Sequence, residues 1–131
     1  MIARGDFDVK VTPIPPDDAG VGRFARYLLD KQVHGDLQAE SQGEMMATDT
    51  PVKGSAGAVA FERVTGTLHG KSGSFVLMHR STMRAGGDFR MDITVVPDSG
   101  TDELTGIAGV FQIILEGKSH HYEFDYTLEE K

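Results

Sequence analysis

Glu62 is the residue best placed for chemistry, because it is a carboxylate set beside an apolar run, Ala58-Val59-Ala60-Phe61, with Val64 following. Side chains on a strand alternate between its two faces, so Glu62 shares a face with Ala58, Ala60 and Val64. If that face is the interior, the short alanines leave room beside the carboxylate. Burial would then raise its pKa and let it act as an acid or base near neutral pH. If Val59 and Phe61 take the interior instead, Glu62 faces out and pairs with a cation such as Arg80. Both readings stay open at this point.

His79 shares its face with Phe75, Leu77, Ser81 and Met83, where a neutral imidazole could transfer protons or orient a ligand, or serve as a satisfied core histidine. Tyr122 and Tyr126 lie with Phe124 and Leu128 on one face of a last strand. Their phenols either line a pocket or fill the core. Glu62 and His79 are therefore the candidates for catalysis, and these two with Tyr122 and Tyr126 are the candidates for ligand binding.

Other chemistry-bearing residues lead nowhere. His120 and His121 are adjacent, so on a strand they point to opposite faces and cannot jointly chelate a metal. Asp98, Asp102 and Glu103 lack the ligand spacing of a calcium loop and read as a solvated acidic turn. Gly70-Lys71-Ser72-Gly73 lacks the long glycine loop and helix of a phosphate-binding loop, and reads as a hairpin turn. Cysteine is absent, which removes thiolate chemistry and disulfides. No metal or cofactor is expected.

The elements that must position these residues are strands. Alternation predicts them over 5–14, 22–34, 36–48, 57–69, 73–84, 88–97, 103–117 and 120–129, with Gly, Asp, Ser and Pro clusters between them. The segment from Pro13 to Gly20 reads as a loop. Residues 23–34 are ambiguous, since Phe24, Tyr27 and Leu28 also fit helical spacing, but Tyr27, Leu29 and Val33 share a strand face and the strand is favoured. Eight strands joined in sequence by short loops predict an all-β fold: a closed, antiparallel, up-and-down barrel spanning residues 1–131 as one domain.

The 16 glycines among 131 residues suit a chain of tight turns. A formal charge of −7 repels phosphate backbones and anionic membranes, so nucleic acid is excluded as a partner. No apolar run approaches the roughly 18 residues of a membrane span, and the start turns polar at once, so a cytoplasmic protein is expected. The stretches around Val76, Val96 and Val110 are apolar on both faces. A sheet with one wet face would keep alternating, so a second copy of the chain is expected to cover the outside, making a homo-oligomer.

The run from Gly54 to Leu68 and the run from Lys71 to His79 resemble a bacterial family known as domain of unknown function 3224. His34-Gly35-Asp36-Leu37, Thr94 to Thr101 and Tyr122 to Leu128 extend the resemblance over nearly the whole chain. It implies a barrel like that of allene oxide cyclase, whose plant enzyme is oligomeric and cyclises a fatty-acid epoxide in an apolar lumen. It implies no activity here and transfers no functional residue. The expected function is binding of a small apolar or amphipathic molecule in the lumen. The alternatives are a packed, oligomeric or partner-binding scaffold, and an isomerase or cyclase using Glu62 or His79.

Overall fold

The computed structural model describes residues 1–14 and 24–128. They form eight strands: β1 (Ile2–Ile14), β2 (Ala25–Gly35), β3 (Leu37–Asp49), β4 (Ala56–Leu68), β5 (Lys71–Arg84), β6 (Asp88–Val95), β7 (Ala108–Glu116) and β8 (Ser119–Thr127). Each pairs antiparallel with the next, and β1 pairs with β8, Ile2 opposite Asp125 and Phe7 opposite His120, to close the barrel. The expected all-β, eight-stranded, up-and-down barrel is the observed one. Among the described residues the only helical segment is a single 3-10 turn, Asp102–Leu104, and no helix is long and apolar enough to cross a membrane.

Several boundaries differ from expectation. The ambiguous stretch is strand, with β2 covering Ala25–Gly35. Pro13 and Ile14, expected in a loop, complete β1 opposite Tyr27 and Arg26; the rest of that predicted loop lies outside the described residues. The strand expected from residue 103 begins only at Ala108, because Asp98, Asp102 and Gly106 all adopt positive φ and turn the chain away from the sheet.

The β6–β7 connection instead runs along β5. Val96 N donates to Val76 O and Thr101 N to Ser74 O, while Val76 N donates to Ser99 Oγ and Ser72 N to the Glu103 carboxylate. It carries Leu104 and Ile107 into the core, where both are buried. β6 and β7 consequently pair only where Thr94 lies opposite Val110.

Inward-facing residues at this end are packed against one another: Leu37, Leu68, Phe75, Ile93, Phe124 and Tyr126 are all buried. The Phe75 and Phe111 rings each approach Phe124 within about 6 Å between centroids, at 5.5 and 5.6 Å. Tyr122 is sealed in as well. Its hydroxyl donates to His34 O at 2.8 Å and accepts from Leu37 N at 3.1 Å, tying β8 to the β2–β3 turn. Gly5 is required beside it, since a Cβ there would fall 2.6 Å from the Tyr122 hydroxyl and 1.9 Å from His34 O.

The apolar residues on the outer face differ in exposure. Val76 and Val96 are half-buried, with the β6–β7 connection bonded along β5 beside them. Val110 is exposed, as are Val59, Phe61, Met46 and Met78 on the outer wall.

Candidate functional site

The register turns Ala58, Ala60, Glu62 and Val64 inward and leaves Val59 and Phe61 outside, Phe61 at 58% exposure. Glu62 is 1% exposed. It lies diagonal to His79, since Ala60 is opposite His79 and Glu62 is opposite Leu77 on β5. On its other side Glu62 faces Gly43 of β3. A Cβ at Gly43 would fall 2.8 Å from the Glu62 Cγ and 2.2 Å from Phe61 O, so only glycine admits the glutamate stem at this crossing.

Two nitrogen-bearing side chains meet the carboxylate. Lys31 of β2 places Nζ 2.8 Å from Glu62 Oε1, and His79 Nε2 contacts Oε2. Lys31 is 9% exposed and its ammonium also stands 4.9 Å from the centre of the Phe7 ring, a cation–π arrangement. Ser41, opposite Lys31, is buried, and its hydroxyl has no hydrogen-bond partner among the described residues. Lys31, Ser41, Glu62 and His79 thus form a polar layer across an otherwise apolar interior.

Burial alone would raise the Glu62 pKa, as the sequence leads one to expect. The contacts from His79 and Lys31 outweigh it, and the Glu62 pKa is lowered from its ordinary value of 4.5. The raised carboxylate is therefore corrected to an ionised one: an adjacent ammonium and a ring N–H stabilise the charge more than desolvation penalises it. An ionised Glu62 against His79 Nε2 fixes the imidazole's orientation.

Tyr122 and Tyr126, expected with Glu62 and His79, are at the packed end instead. The Tyr126 hydroxyl contacts His69 Nδ1, and His69 Nε2 is 3.6 Å from Asp36. Burial raises both phenol pKa values, assisted by the Asp36 charge, so both hydroxyls stay protonated. They hold the barrel shut at that end. Sequence reasoning missed Lys31, although it shares the inward face of Tyr27, Leu29 and Val33, and a lysine at an apolar parity is itself a signal.

On the far side of the polar layer, the inward-facing side chains are accessible. Val11, Met83, Phe89, Met91 and Leu115 are exposed, Leu115 at 66%, and Tyr27, Met45, Ala58 and Ile113 are half-buried. Among the described residues no group of His, Asp and Glu could hold a metal ion. His120 and His121 do point to different sides of β8, and Glu103 is occupied by Ser72 N.

A family model described as "Protein of unknown function (DUF3224)" matches residues 3–126. Among curated proteins none matches. The chain is also similar to a crystal structure of a protein of unknown function from that family in Shewanella oneidensis MR-1. The two are 47% identical with a TM-score of 0.91, and the match covers 100% of this chain and 98% of that one.

Proposed function

The chain belongs to the DUF3224 family, and from that premise we propose that it binds a small apolar or amphipathic molecule in the barrel lumen. The observation that carries this reading is the accessible set of inward-facing apolar side chains above a buried polar layer. Pockets for small molecules are largely apolar with a few polar groups that fix orientation, and this arrangement has that composition. The apolar part of a ligand would lie against Tyr27, Met45 and Ile113. Its polar part would reach Lys31, Ser41 and His79, where the Ser41 hydroxyl has no protein partner among the described residues and gains one.

The test is titration with the apolar fluorophore N-phenyl-1-naphthylamine, followed by methyl NMR. Binding in the lumen shifts the methyl signals of Met45, Ala58 and Ala60, which point inward, and leaves those of Met46 and Met78, which point outward. Shifts confined to Met46 and Met78 would refute the proposal.

The exposed outer stripe of Met46, Val59, Phe61 and Met78 favours a second reading, a homo-oligomeric scaffold. Sedimentation at micromolar concentration separates it: a dimer or larger that dissociates in Phe61→Lys supports the scaffold, and a monomer excludes it.

A further inference from the structure

A cleft of about 660 Å3 lies at the rim of the accessible end, between the β3–β4 loop and the β5–β6 hairpin, and its lining includes Arg80, Arg84 and Arg90 from the outer face and Met83 and Phe89 from the inner one. The strands explain the grouping. Arg80, Thr82 and Arg84 alternate along one face of β5, and Arg90 of β6 is opposite Thr82. Arg90 is thereby diagonal to both other arginines, so the three arginines and Thr82 share one patch of the outer face.

This is anomalous in a chain of net charge −7. Arg80 stands opposite Asp92 and Arg84 opposite Asp88, yet none of the three guanidiniums makes an ion pair or hydrogen bond with a described residue. Like charges at cross-strand neighbours repel, and an anion among them removes that repulsion. Asp88 is the one carboxylate in the lining, so the cleft carries a formal charge of +2. A phosphate monoester carries about −1.5 to −2 at pH 7 and offers three acceptor oxygens to planar guanidinium forks.

The neighbouring groove shares Arg80 and Thr82 with the cleft and continues as an apolar channel of about 360 Å3 past Phe24, Met46 and Val59. We infer that this rim cleft binds a soluble phosphate monoester bearing an apolar group, the phosphate among Arg80, Arg84 and Arg90 and the apolar group along Val59 and Met46. The three arginines lie on the face opposite to Met83 and Phe89, so the phosphate subsite does not depend on the lumen binding anything. A membrane lipid is the disfavoured source of the same headgroup, since the chain's overall charge opposes an anionic surface.

Hexyl phosphate is the probe, titrated at low salt and followed by NMR of arginine side chains and methionine methyls. The expected result is a joint shift of the Arg84, Arg90 and Met46 signals, weaker binding of inorganic phosphate, and no arginine shift with hexanol. Arg84→Gln/Arg90→Gln should weaken hexyl phosphate about tenfold, with each exposed contact contributing modestly, while its amide spectrum keeps the dispersion of the folded barrel. Raising salt should weaken binding in the parent chain more than in this variant. Unchanged affinity in the double variant overturns the inference. So does binding only to phosphatidylcholine vesicles containing phosphatidic acid, with no response to hexyl phosphate.

Discussion

The two ends of this barrel are made by the same strands, with the same inward alternation and the same apolar residue types, yet one is packed solid and the other is accessible. At the packed end Phe75, Phe124 and Tyr126 meet one another, and Leu104 and Ile107 are carried in from the β6–β7 connection. At the other end Val11, Met83, Met91 and Leu115 hold equivalent parities and remain exposed. Alternation determines which way a side chain points. What covers the end of the barrel determines whether it is buried there. The Lys31–Glu62–His79 layer stands between these regimes, buried against the packed core and next to the accessible end.

Removing a side chain from each region in turn sharpens the contrast. Phe124→Ala should have the largest effect, about 3–5 kcal/mol of stability in urea unfolding, because its ring is fully buried among Phe75, Phe111 and Tyr126 and a cavity would remain. A loss under about 1 kcal/mol would show that the end is not tightly packed.

Glu62→Gln should cost about 3 kcal/mol at pH 7, since Lys31 then keeps a buried charge without its counter-ion. The pH dependence has a definite sign. A carboxylate whose pKa is lowered by folding stabilises the native state above its unfolded value near 4.5, and that contribution fades as pH falls through the lower folded value. The parent chain and Glu62→Gln should therefore differ most near neutral pH and converge below about 4.5. A gap that widens with acid would contradict the lowered pKa. Leu115→Ser should change stability by only about 0.5 kcal/mol, because Leu115 is already in water. A loss of several kcal/mol would mean that the accessible end is in fact covered.

The strands were legible because apolar alternation is a local signal, and seven of the eight expected strands match the observed ones to within a few residues. The exception, 103–117, failed because Leu104 and Ile107 look like strand residues while positive φ at Asp102 and Gly106 makes them a plug. The inward turn of Glu62 was one of two parities the sequence allowed. The separation of Tyr122 and Tyr126 from it was not legible, because parity says which face a residue takes and nothing about height along the barrel axis. Lys31 was missed for a related reason: its partner lies across β3, and the space for the Glu62 stem at that crossing comes from Gly43, which nothing local in the sequence connects to either residue.

Pairing β1 with β8 sets the order in which the molecule can assemble. Every other strand pair joins consecutive strands, whereas Ile2 must find Asp125 at the opposite end of the chain. Hairpins form in microseconds, whereas closure over such a separation carries the largest loop-entropy cost of any strand pairing in the barrel. Until it occurs, β1 and β8 are open edges able to pair with another chain. The Arg4–Glu123 ion pair, formed only on closure, places opposite charges on those two edges and favours each as the other's partner.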